Sequence, residues 1–334
     1  MRRRRACPFR RRCCFPLVRS AAIRPVHRSE GRGLSEFFLT RRQLAFAGGA
    51  ASLASPVAAQ GKLTVGEALA KVRQAIGASA DAGAEGLLLG AADQPVRGVA
   101  VAAVPTAAVL QAAAKRGCNL IFALESPLYA RPGEAGSGYP PGSGARAAAA
   151  LKAEPVYRGK AALAARLGVS VVRLNESLQA SRPSLAADTL AARFGWSGGE
   201  TAGQGRMYAI KPAPLSALLR QASRLADRGG LRHVGAKDMM IRSVLVVPGK
   251  ADVVPSVQGL QKADLLLTGD LREWEIVEYV ADSAPAGRPR ALIALGRTVS
   301  QQPYVDAIAE WLKPVLPGVP VTAVRNADPF WRLA

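Results

Sequence analysis

Across residues 63–76 the apolar side chains fall at Val65, Leu69, Val72 and Ile76, one stripe at helical spacing, and Thr64 stands where an N-cap belongs. The period then shortens. Residues 96–101 read as a buried strand, residues 106–115 as an alanine-rich helix stopped by Gly117, and residues 119–124 as a second strand, which together make a βαβ unit. Residues 133–144, with Pro140, Pro141 and five glycines, read as a surface loop. A helix over 160–167 leads into a strand over 169–174, and a helix over 185–194 is stopped by Gly195.

A similar order returns in the second half. Residues 241–247 read as a strand, 254–261 as a short helical stretch and 263–268 as the closing strand. The expectation is a two-lobed α/β protein made of two related α/β halves with mixed sheets, joined at the glycine-rich connector 197–205. The first lobe then spans 60–205 and the second 206–334. In such sheets ligands bind beyond the carboxyl ends of the strands, which points to residues 125–129 and 269–275.

Charge changes the picture mainly at the start of the chain. The formal +21 is concentrated in residues 1–59, where 13 arginines face Glu30 and Glu36, and +10 remains for residues 60–334. That remainder is spread along the chain with no Lys/Arg run interleaved with aromatics, so nucleic acid is not expected as a partner. Arg41 and Arg42 precede the small apolar run 45–58, which ends at Ala58-Ala59 before Gln60, the pattern of a twin-arginine export signal with a cleavage site. The run is far short of the ~20 residues that span a bilayer, so a permanent anchor is not expected. Residues 1–33 lie upstream of that signal without apolar periodicity and read as a basic extension, or as sequence before a start codon downstream of Met1. The expected location is the periplasm.

Chemistry-bearing residues are few. Beyond residue 59 the chain has one histidine, His233, and one cysteine, Cys118. Cys118 cannot form an intrachain bridge there and reads as a buried small hydrophobe, and His233 as a surface or strand-edge residue. There is no glycine-rich phosphate loop, nucleophile elbow or CxxC pair. The densest polar cluster is Asp270, Arg272, Glu273, Trp274 and Glu275, at a strand-to-helix junction. A carboxylate pair there could serve as acid and base. The structural reading has Asp270 capping the helix, Glu273 in its first turn and Trp274 packing.

The run "VRGVAVAAVPTAAVLQAAAKRGCNLIFALESPLY" over 96–129 resembles the dinuclear-metal, hexamer-forming GTP cyclohydrolase I type 2 homologues, the NGG-interacting-factor-three-like family. The resemblance continues in "ADLLLTGDLREWEIVEYVADSAPAGRPRALIALGRTVSQQPYVDAIAEWLKP" over 263–314 and closes at Asp328, Pro329, Phe330 and Trp331. It implies five metal-ligand positions, which this chain fills with Leu124, Glu125, Gln179, Arg297 and Gln301; Glu176 is the other candidate for the Gln179 position. Only Glu125 keeps a ligand of the implied kind. Leu124 has no lone pair, the glutamines offer neutral amides, and Arg297 brings a fixed positive charge. The expectation is an exported, degenerate member with no cofactor, homo-oligomeric by resemblance, whose cleft around Leu124, Glu125, Gln179, Arg297 and Gln301 holds a small ligand or a partner. Arg297 is expected either to pair with Glu125 or to stand in solvent on a loop. The alternative is a zinc-, manganese- or iron-dependent hydrolase of a phosphate or nucleotide-like substrate, with Glu125, Asp270 and Glu273 as catalytic candidates and Glu176 beside them.

Overall fold

The computed structural model describes residues 62–77, 85–130, 144–226, 231–327 and 330, all within one unit, Ala59–Ala334. The leader with Arg41 and Arg42 lies outside the described residues. So do residues 131–143 of the expected loop and Asp328, Pro329 and Trp331 of the closing motif.

Helix α1 (Val65–Ile76) opens through a capping box. Thr64 Oγ1 accepts from the Glu67 amide at 3.3 Å, and the Glu67 carboxylate accepts from the Thr64 amide at 2.8 Å. Then come β1 (Gly86–Leu89), β2 (Val99–Ala102), α2 (Ala107–Lys115), β3 (Leu120–Ala123), α3 (Gly144–Ala153) and α4 (Pro155–Leu167), followed by β4 (Ser170–Arg173), α5 (Glu176–Ser181) and α6 (Leu185–Ala192). The second half supplies β5 (Glu200–Ala202), β6 (Gly205–Pro214), α7 (Leu215–Ala222), β7 (Arg232–Val234), β8 (Met240–Lys250), α8 (Val253–Leu260) and β9 (Leu265–Asp270). A π-helical turn (Glu273–Val277) follows, then α9 (Glu278–Ser283), β10 (Ala291–Ala294), α10 (Arg297–Val315) and β11 (Val321–Ala323).

Two mixed sheets result, as the alternation of strand and helix predicts. The first runs β1-β4-β3-β2-β11, parallel except for β1; the second runs β5-β6-β8-β9-β10-β7, with β8, β9 and β10 parallel. The parallel strands are apolar on both faces because helices cover both. On β3, Leu120 and Phe122 face a core shared with α1 and α10, while Ile121 and Ala123 face one shared with α2 and α4. In the second sheet Val244, Val246, Leu265 and Leu267 face α6 and α7, and Leu245, Val247 and Leu266 face α8.

The halves interlock. β11, from the end of the chain, closes the first sheet against β2, and α6, from the first half, packs on the second sheet. The connector expected over 197–205 is not plain loop, because β5 forms within it and pairs with β6 as a hairpin. A single joint at residue 205 therefore does not describe how the chain passes between the sheets. At the end of the expected glycine-rich loop, Gly144 instead opens α3. Cys118 is buried, and His233 lies on the edge strand β7 opposite Ile293.

Candidate functional site

The ends of the parallel strands bring the candidate residues together. Glu125 follows β3 and is fixed by its amide, which donates to Ala103 O at 2.9 Å. From the other sheet, Leu295 and Gly296 extend β10 by donating to Thr268 O and Gly269 O, each at 2.9 Å, and Arg297 then opens α10. Its Nε and Nη2 both donate to Glu125 Oε1, at 3.1 and 2.5 Å, and its Nη1 lies 3.5 Å from Asp270 Oδ2. Arg297 is thus no solvated loop residue. It ties two carboxylates, one from the end of each sheet, with its side chain 28% exposed and that of Glu125 12% exposed.

A close backbone approach makes this possible. A Cβ on Gly269 would lie 2.6 Å from Gly249 O and 3.0 Å from the Arg297 Cα, so only glycine lets β9, β8 and the start of α10 meet here. Ser300 Oγ secures the junction, accepting from the Gly249 amide at 3.0 Å and donating to Arg297 O at 2.8 Å.

A second charged group stands at the end of β4. Arg173 is fully buried, and its Nη2 donates to Glu176 Oε1 at 2.5 Å. Glu85, also buried, does the capping of α5 that Asn175 does not: one carboxylate oxygen accepts the amides of Asn175 and Ser177 at 2.5 and 3.2 Å, and the other accepts the Ser177 hydroxyl. Burial, and then the nearby Glu85 charge, push the Tyr304 phenol well above its ordinary range.

Between these groups lies a cleft of about 320 Å³ whose walls include Asn175, Glu176, Gln179, Lys250, Arg297 and Gln301. Glu176 pairs with Arg173, Lys250 with Asp252 at 2.7 Å, and Arg297 with Glu125, so the charges on its walls are matched locally. Gln179 is exposed and donates to Asn175 Oδ1 at 2.8 Å. Gln301 is 6% exposed, and its Oε1 has no hydrogen-bond partner among the described residues.

Three sequence expectations change here. Leu124 does not line the cleft: it continues the inward face of Leu120 and Phe122 and sits 1% exposed in the core. Asp270 caps no helix, because the π-helical turn begins only after Arg272 and the Asp270 carboxylate turns toward Arg297. Trp274 does not pack; it is 73% exposed. Glu273 is not paired with Asp270 and instead meets Arg232 in an exposed ion pair, while Glu275 meets Arg272 at 2.7 Å. Arg173, Glu85 and Lys250 were not singled out in the sequence. Arg173 had a signal, a charge inside the apolar run Val171-Val172-Arg173-Leu174; Glu85 had none.

The turn after Glu125 adds one more feature. Tyr129, with φ 66°, is the only described non-glycine residue in the left-handed region, and its ring lies 3.7 Å from the Lys160 ammonium. Burial lowers the Lys160 pKa to about 8.

Against known proteins, the model of the family described as Duf34/NIF3 (NGG1p interacting factor 3) matches residues 150–329. The chain belongs to the Duf34/NIF3 family. No curated protein matches it. Among solved structures, this Duf34/NIF3 chain is similar to the Staphylococcus aureus hypothetical protein SA1388, at 17% identity and TM-score 0.62 over 81% of this chain and 99% of the other. A Bacillus cereus protein related to NIF3 aligns at 14% identity and TM-score 0.57, covering 81% and 99%. Reduced HcgD from Methanocaldococcus jannaschii aligns at 15% identity and TM-score 0.54, covering 78% and 97%. At these identities the likeness speaks for the α/β fold alone.

Proposed function

We propose that this Duf34/NIF3 protein is an exported, non-catalytic binding protein that holds a small polar ligand in the cleft between the strand ends. The observation that carries the reading is Arg297, whose guanidinium takes up Glu125 and approaches Asp270. A carboxylate already engaged by a fixed cation is a poor ligand for a second cation, and a permanent positive charge repels divalent ions from the same spot.

The other donors fit a two-metal centre no better. Leu124 has no lone pair and is buried in the apolar core, and Gln179 and Gln301 are neutral amides. Among the described residues, no three His, Cys, Asp or Glu side chains are grouped so as to hold an ion. What the cleft does offer is amides: Asn175, Gln179 and Gln301 line it, groups that suit the hydrogen-bonding atoms of a polar ligand.

Export rests on the twin-arginine pattern of the leader, and homo-oligomerisation on the family resemblance; both belong to this proposal. Among the described residues no helix is long and apolar enough to cross a membrane.

The test is metal content by elemental mass spectrometry, on protein purified without chelator and then challenged with zinc, manganese and iron. Well-folded protein that retains no ion supports the reading. One or two tightly held ions per chain would overturn it in favour of the metal-dependent hydrolase.

A further inference from the structure

A second cavity, of about 140 Å³, lies beside a different face of α10, against Thr298 and Gln302 rather than Arg297 and Gln301. Arg193, Arg224 and Arg325 line it together with Asp306. The three arginines come from separate parts of the chain: Arg193 from the end of α6, Arg224 from just past α7, and Arg325 from just past β11.

Their charges are not matched. Arg193 Nη2 meets Asp306 Oδ2 at 3.1 Å, and Gln302 Nε2 donates to the other oxygen of Asp306 at 2.8 Å, so the one carboxylate on the wall among the described residues is held from two sides and offsets one guanidinium. Arg224 and Arg325 make no side-chain ion pair or hydrogen bond among the described residues. Among the described residues the wall therefore carries an excess of two positive charges.

The backbone that presents Arg325 is anchored on both sides. The Val324 amide donates to Val101 O at 2.7 Å, and Asn326 clasps Val104 with both ends of its amide, accepting at 3.1 Å and donating at 2.8 Å. Leu225, Ala226, Val299 and Pro303 complete the walls with apolar surface, which concentrates the field of the guanidinium groups.

We propose that this cavity binds the phosphate group of a small phosphorylated molecule. A phosphomonoester carries close to two negative charges at neutral pH, matching the excess, and planar guanidinium forks pair with its oxygens through charge-assisted hydrogen bonds. The organic remainder has a place to lie. A groove of about 530 Å³ shares Arg193, Pro303 and Asp306 with the cavity and runs past Ala307 to Thr322 of β11. This site is separate from the amide-lined cleft and does not depend on the reading given to it.

The experiment is calorimetric titration of the full chain with inorganic phosphate, with malonate as the carboxylate comparison. One saturable phosphate per chain is expected, weakened about tenfold or more by Arg224→Gln and by Arg325→Gln. Arg325→Lys, which keeps the charge and loses the fork, should fall between. Asp306→Asn should tighten binding by removing the opposing charge, a gain that damage to the fold would not produce. Arg242→Gln, the same charge change at an exposed position outside the cavity, should leave binding as it was. Any of three results would overturn the proposal: no saturable phosphate binding, an equal loss in Arg242→Gln, or malonate held as tightly as phosphate.

Discussion

Arg297 and Glu125 stand 172 residues apart in the chain, yet two guanidinium nitrogens of the one meet a single oxygen of the other at 3.1 and 2.5 Å. The pair links the end of β3 in the first sheet to the first residue of α10, which leaves the end of β10 in the second. Asp270, at the end of β9, approaches the same guanidinium. An ion pair thus occupies the place where the family resemblance sets metal ligands.

Both side chains are largely shielded, so removing Arg297 takes the closest opposite charge away from a largely desolvated Glu125 carboxylate. Arg297→Ala should destabilise the fold by about 2–3 kcal/mol, whereas Arg232→Ala, in the exposed pair with Glu273, should cost about 0.5 kcal/mol or less. Urea denaturation of the two variants makes the comparison, and equal midpoints would refute the structural role. The double variant Glu125→Leu with Arg297→Met should recover much of the loss, since both charges then leave together.

Gly269 tests the close approach that seats Arg297. The new methyl of Gly269→Ala would meet Ser300 Oγ first, displacing the hydroxyl that holds the junction, and would also press on backbone that cannot turn away, Gly249 O at 2.6 Å and the Arg297 Cα at 3.0 Å. A loss of about 2 kcal/mol is expected. Gly159→Ala, inside α4 where an added Cβ meets nothing within 4 Å, should instead stabilise by up to about 1 kcal/mol through helix propensity. Thermal melts of both should move in opposite directions.

Lys160 should make stability depend on pH in a defined window. Its folded pKa is lowered to about 8 from 10.5 by burial, so between those values the unfolded chain binds a proton that the folded chain does not. Stability contributed by this group therefore rises as pH climbs from about 8 toward 10, and below pH 8 the charged, buried ammonium is a fixed cost. The gap in unfolding free energy between Lys160→Met and the parent should narrow across that window, with Lys160→Met the more stable below it. A gap constant from pH 7 to 10 would show that Lys160 keeps its ordinary affinity for protons.

The sequence by itself determined the elements wherever a local pattern carries the physics. The stripe Val65, Leu69, Val72 and Ile76 and the cap at Thr64 define α1, and the apolar runs before Glu125 and Asp270 give the buried strands β3 and β9, because helices and doubly covered strands are specified by neighbours in the chain. The pairing of Arg297 with Glu125 was also legible as one of two possibilities, because the family resemblance sets both residues at metal-ligand positions and a fixed cation beside a carboxylate has a partner at hand. What only the tertiary structure decided were the faces and the long-range partners. Leu124 and Glu125 are adjacent, yet strand parity sends one into the core while the chain's turn brings the other to Arg297. Trp274 reads as a packing residue but stands exposed on a π-helical turn, a geometry that no period in the sequence announces. Glu85 caps a helix 90 residues away, and β11 joins a sheet whose other strands were laid down before residue 174. Such contacts depend on where whole elements dock, and docking is set by the summed burial of both faces of two sheets rather than by any local run of residues.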